Sequence, residues 1–368
     1  MNTKTVLVVF FAIFTVGLAL IVLLPFFLAR RPAEPEPEAR GAAAPAVEGV
    51  FRSDDGGRSW QARSAIAGGG SVAGLRVNRL VLDPADPATL YLLTDGGGLF
   101  VTRDRAETWE RVNDTSGLLE PDANVLALAV NPARREEWYV AVFRDRRGRV
   151  FRTDDGGRVL REIYFTPLER FGVFDVHVER GGRTVWIATG QGGILESRDR
   201  GRTWRVVRWF ADGLVRLLVN PARPAVRFAA GAKGSLFRSP DGGVTWYDVT
   251  AAYRNFSGAL QNQRWFTDRS GAVWLGSNHG LLRSGDDAET FEAPPLIIPP
   301  DALPVLALAV DPRDTSRIVV AADGQLYASE DGGKTWAILP SPAPSGKRVT
   351  HLLFDAERAE TIYAVVQL

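Results

Sequence analysis

The chain has no cysteine in 368 residues. Disulfides, zinc sites built on thiolates and a lipid-modified N-terminal cysteine are therefore excluded. The absence does not fix the compartment; it is only compatible with an oxidising one. Three histidines, His177, His279 and His351, leave little material for a histidine-based metal centre or a catalytic triad. Charge of one sign is not in excess either, with 44 Lys and Arg against 43 Asp and Glu. A general nucleic-acid binder carries a clear basic surplus, so that class is set aside. No phosphate loop, metal-ligand spacing or nucleophile elbow occurs. The expectation is a protein with no cofactor and no metal.

The long apolar run is residues 6–29, VLVVFFAIFTVGLALIVLLPFFLA, preceded by a short tail of residues 1–5. As a helix it would rise about 36 Å, enough to cross a bilayer. A cleavable signal has a shorter apolar core and a small-residue site directly after it. Here the run ends in Arg30 and Arg31, which favours an uncleaved single-pass anchor; cleavage within residues 41–46 is the alternative. Lys4 lies on one side of the run, and Arg30, Arg31 and Arg40 lie on the other. Counting positive charges slightly favours a cytoplasmic domain. Residues 30–48, rich in Pro, Ala and Glu, read as an extended tether.

One motif then recurs seven times, of the form S/T-x-D-x-G-x-T/S-W. Its central residues are Asp55, Asp104, Asp155, Asp199, Asp241, Asp286 and Asp331, separated by 49, 51, 44, 42, 45 and 45 residues. Four short strands and their turns fit a unit of that size, which is a propeller blade. Apolar runs such as RLVLDP (79–84), VLALAVNP (125–132), LVRLLVNP (214–221) and VLALAVDP (305–312) mark a strand A ending in an Asp/Asn-Pro turn. A strand B follows each, with an aromatic at a matching position in five: Tyr91, Tyr139, Trp186, Trp274 and Tyr363. That regularity predicts an interblade core rather than a ligand platform. The fold class is all-β, a seven-bladed propeller over residues 49–368. Residues 49–62 supply strands C and D of a last blade, and residues 349–366 supply its strands A and B, closing the ring.

The seven aspartates are expected to brace turns. A carboxylate in a hairpin accepts backbone N–H bonds, glycine permits positive φ, and the Trp packs on the next blade. Ala106 and Ala288 replace the glycine, and Val159 with Leu160 replaces Thr-Trp, which predicts looser turns there. The opposite face carries the longer connections, where binding is expected. Arg208, Trp209 and Phe210 stand outside the repeat pattern there, as do Tyr253, Arg254, Phe256, Arg264 and Trp265. They are either partner contacts or a cover for the loop base. His279, in the turn 276–280, falls on the same face. Arg144, Arg146, Arg147 and Arg149 form a basic cluster, which by itself reads as a solvated surface.

The motif resembles the Asp-box, or bacterial neuraminidase repeat, of sialidases, sortilin-type receptors, xyloglucan-specific endoglucanases and photosystem II assembly-factor propellers. Taken over residues 49–368, the chain is most similar to the photosystem II assembly and stability factor family. That resemblance implies a scaffold that binds a protein partner at a membrane surface, without requiring a photosynthetic role. It also implies a propeller outside the cytoplasm, and an Arg-rich docking patch to which Arg144, Arg146, Arg147 and Arg149 would correspond. The alternative is a cell-surface glycan binder or glycosidase. Hydrolysis needs two carboxylates flanking the bond, and Asp95, Asp122, Glu169, Asp212, Asp301 and Asp323 are candidates with no pair singled out. No catalytic residue is assigned.

Overall fold

The computed structural model describes residues 48–368. The anchor expected over 6–29, and the tether apart from its last residue, lie outside the described residues. Among those described, no helix is long and apolar enough to cross a membrane.

Seven antiparallel sheets make the ring. Blade 1 is built from Val77–Leu82, Leu90–Thr94, Leu99–Thr102 and Glu110–Arg111 in sequential order. Blades 2, 3, 4 and 6 repeat that meander within 124–165, 173–209, 214–248 and 305–339. The A strands of neighbouring blades meet around the centre, while the short D strands, such as Gln61–Ala62, Glu110–Arg111 and Tyr247–Asp248, are exposed at the rim. Strand B is buried on both faces in most blades, for example along Leu90–Thr94 and Val185–Thr189.

Blade 7 joins the two ends of the domain as the half-blade argument expects. Arg348–Phe354 and Ile362–Gln367 pair with each other, and Gly49–Ser53 pairs along Ile362–Gln367 from Gly49↔Val366 to Ser53↔Ile362. Blade 5 departs from the pattern. It has three strands, Arg264–Thr267, Val273–Ser277 and Gly280–Ser284, and its strand D shrinks to one bridge, Arg283↔Glu292. Pro294 and Pro295 follow at once and lack the N–H that a longer ladder would need.

The aspartate turns form one face and are nearly identical. In blade 7, Asp55 accepts the Ser53 hydroxyl at 2.7 Å, the Ser59 N–H at 2.8 Å and the Ser59 hydroxyl at 2.6 Å. The Ser53 hydroxyl in turn accepts the Gly57 N–H at 2.8 Å. These bonds, the Ser59 hydroxyl first, hold the Asp55 carboxyl down at about 2. The turns with Ala106 and Ala288 keep the same geometry rather than loosening. Ala106 sits at φ 64 and Ala288 at φ 65, both without exposed surface, and their N–H groups still reach Thr102 and Ser284 at 3.0 and 2.9 Å. Left-handed alanine costs roughly 1–2 kcal/mol, which the bonds and the buried methyl offset.

Each turn is also tied sideways. In six blades a backbone N–H of the aspartate turn donates to a carbonyl of the same blade's A–B turn: Gly56 to Glu360, Arg105 to Ala88, Gly156 to Glu136, Arg200 to Arg183, Gly242 to Ala225 and Gly332 to Ser316. Arginines of the motif cross to the next blade, Arg52 to the Arg105 carbonyl and Glu107, and Arg238 to the Asp287 carbonyl and Glu289. The strand B aromatics are core, as their regularity implies, and each has a polar anchor. Tyr91 donates to Asp83, Tyr139 to Glu137, Trp186 to Glu179, Trp274 to Asp268 and Tyr363 to Asp355, all between 2.5 and 3.1 Å. In four blades the acid at the end of strand A, and in blade 2 Glu137 of strand B itself, thus orients the ring that fills the gap between blades, satisfying a buried hydroxyl or indole N–H.

Candidate functional site

The expected loop-face residues separate into two groups. Tyr253 is fully buried, and its hydroxyl donates to the Gly234 carbonyl at 2.6 Å. Trp265 is 7% exposed, lies 5.3 Å from the Tyr253 ring, and donates to Gln263. Both belong to the core between blades 4 and 5, so they cover the loop base and present no contact surface. Phe210 stacks on Phe237 at 4.1 Å and meets Trp246 edge-on, again as a cover. Phe256 packs against His279 at 5.2 Å. Arg208 and Arg254 are exposed, and Trp209 keeps half its surface in solvent at the end of strand Arg205–Trp209. These three remain available to a partner.

The arginine cluster forms one hairpin. Arg134–Arg144 and Arg147–Thr153 join through Asp145 and Arg146, both at positive φ. Arg144 bonds Glu120 at 2.9 Å, Arg146 reaches Glu169 at 3.2 Å, Arg147 donates to the Pro167 carbonyl at 2.8 Å, and Arg149 bridges Glu162 and Asp145. Every member already has an acceptor. Beside them Phe165 and Leu168 are exposed, so the hairpin offers a mixed surface, with charge largely compensated, instead of a bare basic patch.

His279 is buried in its turn, with Nδ1 2.9 Å from the Ser257 carbonyl and 3.4 Å from Asp301. The loop-face carboxylates are similarly committed. Asp95 faces Arg76, Glu169 faces Arg146, and Asp323 faces Arg348. Asp212 is buried and caps the Lys233 N–H and the Ser235 hydroxyl. Asp122 is exposed. Among the described residues no cluster of three or more His, Asp or Glu could hold a metal.

The sequence reading passed over the centre of the ring. A cavity of about 680 Å³ opens there, lined by inner strands of blades 1, 4, 5, 6 and 7. Arg79, Arg216, Arg264 and His351 face it. Arg79 donates to Asp175 at 2.6 Å, and Arg216 lies 3.7 Å from the same carboxylate. Burial alone would raise the Asp175 carboxyl; Arg79 and Arg216 carry it below its usual range. The charge of Arg79, then burial, lowers Arg216 to about 10. Burial lowers His351 to about 4, and the charges of Arg264, Arg79 and Arg216 push the same way. Arg79 and Arg216 were visible inside the apolar runs of strand A, whereas Arg264, expected on the loop face, instead opens strand A of blade 5, facing the cavity.

No family model matches the chain. It is 24% identical over 348 residues to an oligoxyloglucan-reducing end-specific xyloglucanase of Emericella nidulans, covering 84% of this chain and 40% of that protein. It is 26% identical over 162 residues to the photosystem II assembly lipoprotein Ycf48 of a Picosynechococcus species, covering 42% of this chain and 46% of that one. The chain therefore spans less than half the length of these relatives. Its fold matches the solved structure of YCF48 bound to a D1 peptide with a TM-score of 0.61 at 18% identity, over 80% of this chain and 93% of that one. The chain is a seven-bladed propeller that resembles both the Ycf48 assembly factors and the xyloglucanases.

Proposed function

We propose that this chain is an Asp-box propeller acting as a protein-binding scaffold, an assembly or stability factor for a membrane or envelope complex. In this reading residues 6–29 anchor it in the membrane and the propeller stands on the extracytoplasmic side. The observation that carries it is the whole-propeller match to YCF48, whose solved structure holds a D1 peptide. The commitment of Asp95, Glu169, Asp212, Asp301 and Asp323 to bonds within the propeller supports binding over hydrolysis. The exposed rim residues Arg208, Trp209 and Arg254, and the hairpin of Arg144 to Arg149 beside Phe165 and Leu168, supply the contact surface. Exposed aromatics and arginines are the residue types on which protein interfaces concentrate their energy.

Affinity purification of the chain with residues 1–48 retained tests the proposal. A stoichiometric membrane-protein partner, released by Trp209→Ala, supports it. Repeated recovery of the propeller alone sinks it. The xyloglucanase relative favours a second reading, glycan binding or hydrolysis at the cell surface. Xyloglucan oligosaccharide binding that Trp209→Ala abolishes, without a protein partner, would replace the first reading with the second.

A further inference from the structure

One register position of the inner strands recurs around the cavity. Counting back four residues from the A–B turn positions Asp83, Asn131, Glu179, Asn220, Asp268, Asp311 and Asp355 gives Arg79, Ala127, Asp175, Arg216, Arg264, Ala307 and His351. In six blades the ladder slips immediately before this residue: Val77/Arg79, Val125/Ala127, Val173/Asp175, Leu214/Arg216, Val305/Ala307 and Val349/His351. Such bulges re-aim the side chain that follows them. In blade 5 the strand begins at Arg264 itself, paired with Gly276. Arg79, Arg216, Arg264, Ala307 and His351 line the cavity, and Asp175 sits against the first two. The layer thus holds three guanidinium groups and one carboxylate.

The guanidinium groups are unequally used. Arg79 is spent on Asp175 and the Phe174 carbonyl. Arg216 has a buried Nε with no hydrogen-bond partner. Arg264 has no ion pair among the described residues, and its guanidinium donates only to the carbonyl of its neighbour Gln263. Asn78, Gln263, Thr350 and Gln367 add neutral polar groups to the wall. Arg216 shares the Asp175 carboxylate with Arg79, at 3.7 Å, without a hydrogen bond to it. Guanidinium groups with N–H bonds still to make, facing a partly enclosed space, are the donor set for an oxyanion, which accepts paired N–H bonds from a guanidinium fork.

We infer that the centre of the ring is a small-oxyanion site, with Arg216 and Arg264 as its ligands and Arg79, fixed by Asp175, as a positioning charge. The occupant is a free carboxylate- or phosphate-bearing small molecule. The site goes beyond the protein-partner reading and does not depend on it.

The test uses the full-length chain at constant ionic strength and neutral pH, titrated separately with inorganic phosphate and with citrate. His351 and His177 ring resonances and the thermal midpoint are followed. A saturable shift at His351 but not His177, with a raised midpoint, is expected from at least one anion, and the anion that acts names the group. Arg264→Gln, which breaks no ion pair, should weaken binding about tenfold or more; Arg216→Gln should do the same. Arg202→Gln, exposed on the aspartate-turn face, should leave binding unchanged. No saturable shift with either anion, or the same affinity in Arg264→Gln, overturns the site.

Discussion

Two positions recur once per blade, and they behave in opposite ways. At the centre of the C–D turn the side chain is always aspartate, and its bonds to the flanking hydroxyl and N–H groups repeat closely from Asp55 to Asp331. At the layer four residues before the A–B turn, the backbone repeats, with its bulge in six blades, but the side chain runs Arg, Ala, Asp, Arg, Arg, Ala, His. The turn position is constrained because its carboxylate replaces missing backbone partners in every blade. The layer position faces the cavity in blades 1, 4, 5, 6 and 7, so those blades are free to place different groups there; in blades 2 and 3 it is filled by the buried Ala127 and Asp175. Sameness therefore marks what holds the ring, and variation on a constant backbone marks where a ligand could be read.

The largest effect should come from breaking closure. Removing residues 349–368 takes both inner strands from blade 7 and leaves Gly49–Ser53 without its partner. The remaining sheets would have open edges. The expected outcome is loss of the cooperative thermal transition by calorimetry. A truncated chain that still melts cooperatively would show that the blades stand without closure, and the turn face would lose its claim to be a ring-wide brace.

Next in size is a pair of tryptophans. Trp265→Ala empties a site packed by Tyr253 and Phe291 and should cost about 3–5 kcal/mol by urea unfolding. Trp209→Ala removes a side chain half in solvent and should change stability by less than about 0.5 kcal/mol. The sequence could not separate these two. Both are aromatics outside the repeat register, and which one turns inward depends on how 249–263 folds back across blades 4 and 5. The repeats, the half-blades and the strand B aromatics were legible because they rest on local periodicity. The bulged inner layer was not, because a register slip has no residue signature of its own. Blade 5's lost fourth strand was signalled by Pro294 and Pro295, which the repeat argument did not weigh.

Acid should then reach the cavity first and the turn face second. The hydroxyl and N–H four residues on lower Asp55, Asp199, Asp241 and Asp331 to about 2. Their unfolded value is near 3.8, so their contribution is complete above that pH and is lost as pH falls towards 2. The melting midpoint should decline gently from about pH 6.5, through His351, and drop more steeply below 4, through the aspartates. His351, lowered from 6.5 to about 4 by burial, loses its contribution earlier, as pH falls between those values, because the unfolded chain accepts a proton that the folded state resists. Replacing Asp55 and Asp199 together by Asn should flatten the acid limb; an unchanged limb would mean that other carboxylates govern it.

The smallest effect repairs the one turn that departs from the set. Six turns place a Ser or Thr hydroxyl 2.6–2.7 Å from the second carboxylate oxygen: Ser59, Thr108, Thr203, Thr245, Thr290 and Thr335. In blade 2 that residue is Val159, which donates only its N–H, at 2.9 Å, and leaves half its side chain in solvent. The oxygen it misses faces Arg158 at 3.6 Å. Val159→Thr keeps the β-branched shape and adds the missing donor, so it should raise stability by about 0.5 kcal/mol, seen as a small increase in melting midpoint. The gain should shrink in acid as the accepting carboxylate, which the Val159 N–H holds below its usual range, becomes protonated. A neutral result at neutral pH would mean that Arg158 already supplies what the hydroxyl supplies elsewhere. The constancy of the turn position would then rest on the backbone bonds alone.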